Sequence, residues 1–212
     1  MSITASRVFL VDDDPAVLKA LKRLLRAAGF EVCAYASALA FLEEHDAATP
    51  GCAVVDLAMP GLTGLELQRL LASSGCERPI IFITGRGDIP ASVQAMKAGA
   101  VDFLTKPLDD TVLLAAIRAA LEKDQRIRRS RTDLQMVEQR LARLTPRERE
   151  VLTHIIAGQL NKQIAAVLGT VEKTIKVHRA RVMEKMEAKS LADLVRMAER
   201  AGVATSDPRA SL

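Results

Sequence analysis

The feature that most restricts the fold is an alternation. Residues 7–11, 30–35, 52–56, 79–84 and 101–105 are short runs rich in small, β-branched or aromatic residues. A stretch with apolar residues at helical spacing follows each one. The first such helix begins at Pro15 with Asp14 as its cap, carries Val17, Leu18, Leu21, Leu24 and Leu25 on one side, and stops at Gly29. The second runs from a Ser37 cap to about His45, the third over Gly64–Ser73, and the fourth over 89–98 to Gly99. Asp109 or Asp110 caps the fifth, whose apolar side includes Val112, Leu113, Ala116, Ile117 and Leu121. Runs such as Ala53-Val54-Val55, bounded by Pro-Gly turns, suit strands buried on both faces. Five strands alternating with five helices predict an α/β domain built on a doubly wound five-stranded parallel sheet.

In a parallel sheet the carboxyl ends of all strands share one edge, where open α/β sheets place their sites. Here those ends carry Asp12 and Asp13, Asp56, Thr84, and Thr105-Lys106. Three carboxylates so close repel, and a hard divalent cation with oxygen ligands, Mg²⁺ by preference, offsets the repulsion. Lys106 adds a positive charge and Thr84 a hydroxyl that can donate to an anion. Cation, ammonium and hydroxyl around one carboxylate form a receptor for a transferring phosphoryl group, with Asp56 as the nucleophile that becomes an acyl phosphate.

The rest of the chain differs in character. Residues 1–121 hold 11 Lys/Arg against 14 Asp/Glu, and residues 122–212 hold 19 against 12. An acidic first part and a basic second part predict two domains, the second meeting a polyanion. Residues 122–138 are dense in charge, with Leu134, Val137 and Leu141 at helical spacing, so a solvated helical linker is expected; its apolar repeat is short for a dimerising coiled coil. Thr145, Pro146 and Glu148 form a strong helix start, a capping box with proline at the first position. Asn161 is expected to cap a second short helix, a third to run from about Val171 to Met186, and a fourth to start at Ser190. On the third, Val171, Ile175, His178, Val182 and Met186 share one arc and should face the core. Lys173, Lys176, Val177 and Ala180 lie opposite, a face with ammonium groups for phosphates or guanine and small apolar groups for thymine methyls.

Composition closes off other classes. No apolar run reaches the roughly 18 residues of a membrane span. Cys33, Cys52 and Cys76 are scattered without metal-site spacing, and the N-terminus leads directly into a strand, so a cytoplasmic protein is expected.

Val11-Asp12-Asp13-Asp14, Val55-Asp56-Leu57-Ala58-Met59-Pro60-Gly61, Ile83-Thr84-Gly85 and Phe103-Leu104-Thr105-Lys106-Pro107 resemble the receiver domain of bacterial two-component response regulators. The stretch from Thr84-Gly85-Arg86-Gly87-Asp88 through Asp102-Phe103 is similar to the FixJ branch. Leu144–Glu148, 160–165 and 172–178 resemble the LuxR/NarL-type helix-turn-helix. The resemblance implies a flavodoxin-like strand order 2-1-3-4-5 over residues 6–121, and a four-helix all-α DNA-binding domain over 139–204 with its helix-turn-helix at about 161–180. It leaves 205–212 as a flexible tail. It implies that Asp56 accepts phosphate from a histidine kinase. Asp13, Asp56 and the Ala58 carbonyl would bind Mg²⁺, with Asp12 acting through water. Thr84 and Phe103 would act as switch residues, Lys106 would pair with the phosphate, and the Lys106–Pro107 bond would be cis. In the second domain it implies that Lys176 and Val177 approach bases while Asn161, Lys162 and Thr174 lie near the DNA backbone; Lys173 and Arg181 complete the expected contact set. Phosphorylation would drive homodimerisation through 89–98 and 101–105 and binding to a double-stranded operator, with RNA polymerase as a further partner. Ala58 departs from relatives with a polar residue there, which bears on phosphoryl lifetime, and Leu108 replaces a usual Phe. Aspartate-nucleophile phosphatases need an acid at the place of Ala58, so the chain is not expected to be an enzyme beyond its own phosphoryl acceptance. A receiver that passes phosphate onward, with a tail for partner binding, is the other alternative.

Overall fold

The computed structural model describes residues 7–85 and 89–204; the expected tail at 205–212 and the motif residues Arg86, Gly87 and Asp88 lie outside them. The chain divides into two compact units after Arg128.

In the first unit β1 (Arg7–Val11), β2 (Glu31–Tyr35), β3 (Gly51–Asp56), β4 (Ile80–Thr84) and β5 (Asp102–Thr105) form one parallel sheet in the order β2-β1-β3-β4-β5. The alternation along β1 explains the layering. Val8 and Leu10 join one cluster with Leu21 and Leu25 of α1 (Pro15–Ala27) and Leu113 and Ile117 of α5 (Asp110–Ala142). Phe9 and Val11 join the other, with Phe41 of α2 (Ala38–Glu44), Leu67 and Leu71 of α3 (Gly64–Ser73) and Ala95 of α4 (Ile89–Lys97). Every residue of β3 and β4 is buried, as expected of strands covered on both faces. Fully buried Phe41 takes Phe9 and Tyr35 edge-on, so truncating it to alanine would cost about 3–5 kcal/mol.

The caps follow the sequence closely. Asp14 accepts from the N–H groups of Ala16 and Val17, Ser37 from Ala40, and Thr63 and Glu66 close a capping box on α3. Asp109, not Asp110, caps α5, accepting from Thr111 and Val112. The helix after that cap runs straight into the segment expected to be a helical linker. α5 continues unbroken for 33 residues, through the segment read as a separate linker, and the unit boundary falls at residue 128 where the charge pattern placed it at 121. That segment is not simply solvated, because Asp124 is buried. Its exposed side carries Arg118, Glu122, Gln125, Arg129 and Thr132, which is no apolar seam for a coiled coil.

In the second unit α6 (Pro146–Ile156), α7 (Asn161–Val167), α8 (Glu172–Lys185) and α9 (Leu191–Arg200) close around Leu152, Ile155, Ile164, Ile175, Val182 and Leu194, joined by Val137 and Leu141 from the end of α5. Thr145 and Glu148 form the expected capping box, and Ser190 caps α9. Two expectations fail. Asn161 is the first helical residue of α7 and not its cap; Leu160 holds that place, and the Gln163 side chain accepts from its N–H at 2.8 Å. Val171 is 64 % exposed because it is the extended cap of α8 (φ −101°, ψ 150°), outside the helical arc on which it was projected.

Candidate functional site

Strand register assembles the first site. Val11 pairs with Val55 and Asp56 with Ile83, so Asp12 and Asp56 emerge side by side and Thr84 follows on the next strand. The ligand oxygens of Asp12, Asp13 and Asp56 lie within 4.8 Å of one another, the one such acidic group among the described residues. Asp12 and Asp56 are 1 % and 6 % exposed, while Asp13 faces solvent. Asp12 is fixed at both ends: its N–H donates to the Tyr35 carbonyl, and its Oδ1 accepts from the Asp14 N–H at 2.9 Å.

Lys106 reaches in from beyond β5. Its backbone N–H donates to the Thr84 carbonyl at 2.7 Å, the Lys106–Pro107 bond is cis, and Nζ donates to Asp12 Oδ2 at 2.8 Å. Nζ stands 3.4 Å from Asp56 Oδ1, a long ion pair; that buried oxygen accepts no hydrogen bond among the described residues. Burial pushes the Asp56 carboxyl above the ordinary carboxylate range, and the neighbouring charge of Asp12 adds to it against the pull of Lys106. Burial works to lower the Lys106 ammonium, but the hydrogen bond and charge of Asp12, then Asp56, outweigh it and raise the group. The site is thus under-neutralised: three carboxylates face one ammonium. An orphaned buried oxygen beside an exposed carboxylate is the donor set a hard divalent cation requires, so the residues fit Mg²⁺.

Thr84 is buried at the end of β4. Phe103 is half-buried, packed against the cluster of Phe82 and Met59 and paired with Phe82 across β4 and β5. Ala58 sits in the exposed turn after β3. Beyond it is a residue the sequence reading left without a role. A Cβ on Gly64 would stand 2.6 Å from the Asp56 carbonyl oxygen and 3.0 Å from the Phe82 ring, and the Gly64 N–H donates to the Leu57 carbonyl. Glycine here lets α3 start against the acceptor strand. Thr63 caps the helix there with Glu66 three residues on, but nothing local announces the close approach.

The second site lies on α8. Lys173, Lys176, Val177, Ala180 and Arg181 are exposed and Thr174 is half-buried, whereas Ile175, Val182 and Met186 face the core. His178 is half-buried between these faces, as the arc implied only in part. Lys162 is exposed on α7; Asn161 is half-buried and its Oδ1 accepts from Arg179 at 3.3 Å, so the start of α7 is tied to the middle of α8. Lys176 lies 3.4 Å from Glu172 in an exposed pair that is easily exchanged. The α8 base is fastened by Lys185, which donates to buried Glu148 at 2.6 Å. This hydrogen bond, with those from Thr145, holds the Glu148 carboxyl below its ordinary range.

Comparison with known proteins identifies both domains. Residues 8–118 match the response regulator receiver domain, and residues 142–198 match the bacterial regulatory proteins of the luxR family. The chain is 45 % identical to the transcriptional regulatory protein FixJ of Rhizobium meliloti, covering 96 % of this chain and all of that protein. It is 44 % identical to nodulation protein W of Bradyrhizobium diazoefficiens, over 96 % of this chain and 89 % of that one. Among solved structures, the response regulator StyR superposes with a TM-score of 0.82 at 46 % identity, covering 92 % of this chain and 99 % of that chain. Full-length FixJ from B. japonicum gives 0.57 at 43 % identity, over 94 % and 98 %. Among the described residues no helix is long and apolar enough to cross a membrane. The chain belongs to the FixJ-like response regulators, which join a receiver domain to a luxR-type DNA-binding domain, and it is a phosphorylation-dependent transcriptional regulator.

Proposed function

We propose that Asp56 is the phosphoryl acceptor and that a phosphohistidine of a sensor kinase is the donor. A carboxylate oxygen of Asp56 forms the new P–O bond while the P–N bond breaks and its electron pair leaves with the imidazole. The observation that carries this reading is the under-neutralised cluster: Asp12, Asp13 and Asp56 within 4.8 Å, with Lys106 spanning Asp12 and Asp56. Asp13, Asp56 and the Ala58 carbonyl would hold Mg²⁺, with Asp12 acting through water. The ion would supply positive charge to the carboxylates and to the phosphoryl oxygens. Lys106 neutralises the developing charge from the other side. The Thr84 hydroxyl donates to a phosphoryl oxygen, and half-buried Phe103 moves inward behind it.

Dimerisation through α4 and β5 is the expected output. Ile89, Val93 and Met96 are 74 %, 47 % and 46 % exposed, an apolar surface suited to a second copy. Two such copies would present two α8 helices to the half-sites of an operator. Lys176 and Val177 would meet base edges, and Asn161, Lys162, Lys173, Thr174 and Arg181 the DNA backbone. Residues 6–121 would be the receiver proper, 122–138 the connection and 139–204 the DNA-binding domain. The protein would work in the cytoplasm, and contact with RNA polymerase would follow operator binding.

Light scattering with Mg²⁺ and beryllium fluoride, comparing wild type with Asp56→Asn, tests the switch. A monomer-to-dimer shift in wild type alone supports it. No shift, with the fluoride shown to be bound at Asp56, removes dimerisation from the reading.

A further inference from the structure

Helix α5 continues past the sheet through a stretch that offers the core almost no apolar surface. Residues 122–131 read Glu-Lys-Asp-Gln-Arg-Ile-Arg-Arg-Ser-Arg, with four arginines and one apolar side chain, and isolated helices of such length are marginal in water. Besides a bond from Lys123 to the Gly99 carbonyl at 3.1 Å, this stretch is held by a buried charge network that the phosphoryl site does not use.

Asp124 is 4 % exposed. Its Oδ2 accepts from the Gly51 N–H at 2.9 Å, and both oxygens accept from Arg128 Nε at 2.9 and 3.0 Å. Arg128 turns its remaining donors onto the loop before β3: Nη1 donates to the Ala48 carbonyl at 2.7 Å, and Nη2 to those of Thr49 at 2.8 Å and Ala47 at 3.2 Å. Arg78, 6 % exposed, meets the same loop from the strand side, through Nη2 to the Asp46 carbonyl at 2.9 Å and Nη1 to Thr49 at 3.2 Å. Loop 46–51 thus gives its carbonyls to two guanidinium groups. Charge-assisted bonds are roughly twice as strong as neutral ones, and a buried carboxylate is tolerated only with such partners. Gly51 opens the strand that ends in Asp56, and a Cβ there would meet the Arg7 carbonyl oxygen at 2.1 Å, so only glycine fits where the loop enters the sheet.

We propose that loop 46–51 is a built-in receptor for α5: Asp124 and Arg128 form a latch that keeps the helix ordered across residues 122–128, so that the length of helix leading into the DNA-binding unit is set by this contact and contributes to operator binding. The latch sits at the opposite end of β3 from the phosphoryl acceptor, so its closure does not require phosphate.

The test is hydrogen exchange on the full unphosphorylated chain, comparing wild type, Asp124→Asn and Arg128→Gln, with Arg129→Gln as the exposed neighbour that takes no part. The latch predicts exchange at least roughly tenfold faster across 122–130 in the first two variants only, with β1 and β3 as protected as in wild type. It also predicts weaker operator binding by those variants in the presence of beryllium fluoride. Unchanged exchange at 122–130 overturns the latch, and loss of protection throughout the sheet overturns its restriction to the helix. Local loosening with unchanged operator affinity overturns its role in output. Exchange is read without phosphate and fluoride binding at Asp56 is measured separately, so failure of the latch is distinguishable from failure of the Asp56 assignment.

Discussion

Replacing Gly64 by alanine should damage the acceptor site without touching a charged group. The backbone at Gly64 is not in the left-handed region, so conformation alone would favour alanine by about 0.4–1 kcal/mol through the unfolded chain. Space opposes it. The new Cβ would lie 2.6 Å from the Asp56 carbonyl oxygen, where contacts become ordinary at 3.4 Å, so 0.8 Å must be found. The obstacle is strand backbone in the centre of the sheet, so α3 and the turn carrying Ala58 must move instead. Overpacking of this kind costs about 1–3 kcal/mol, leaving a net loss of about 1–2 kcal/mol. In calorimetry of the full chain the receiver transition should fall by about 4–8 °C. A sub-ångström displacement of the acceptor turn should also slow phosphoryl acceptance from acetyl phosphate by roughly 10–100-fold. Gly85→Ala is the internal control, because nothing lies within 4 Å of its Cβ position. A Gly64→Ala protein as stable and as readily phosphorylated as Gly85→Ala would refute the reasoning.

On α8, Lys176→Ala and Val177→Ala should relax discrimination between operators by about 1–3 kcal/mol at fixed salt, read by competition binding. Lys173→Ala should weaken binding to all sequences alike and reduce the salt slope by about 1. For Glu148 the linkage runs one way: its folded carboxyl titrates below its ordinary 4.5, so the unfolded chain binds the extra proton first. Its contribution is complete above that value and is lost as pH falls toward the lowered one. Glu148→Gln should therefore destabilise the second unit by about 1.5–3 kcal/mol at neutral pH and flatten its acid unfolding curve below 4.5. An unchanged curve would remove the Lys185 hydrogen bond from the account.

Much of this was legible in the sequence, for identifiable reasons. Strand ends and caps are local: Asp12, Asp56, Thr84 and Lys106 each follow an apolar run, and parallel topology alone brings such ends to one edge. Thr145 with Glu148 and Ser190 announced helix starts because a cap contacts residues two or three positions away. Where the reading failed, the cause lay beyond that range or in the projection used. Val171 was placed on the core arc as though helical, but a cap residue has extended dihedrals and the 100° step does not apply to it. Asn161, the commoner capping type, is the first helical residue, and Leu160 before it caps without a side-chain acceptor, its own N–H donating to Gln163. The linker was read as helical from the spacing of Leu134, Val137 and Leu141, but its anchoring by Asp124 to Gly51 is a contact across 73 residues that no local pattern carries. Lys106 was read as a phosphate partner, and its short bond to Asp12 depends on the spacing of strands three positions apart in the sheet.

The central claim is that the state of Asp56 controls DNA binding. The most direct measurement is operator affinity of the full chain at fixed salt, with and without Mg²⁺ and beryllium fluoride, in wild type and Asp56→Asn. The account predicts that wild type binds at least roughly tenfold more tightly with the fluoride, about 1.4 kcal/mol, and that Asp56→Asn does not respond. Equal affinity in both states of the wild-type protein, with the fluoride confirmed at Asp56, would contradict it.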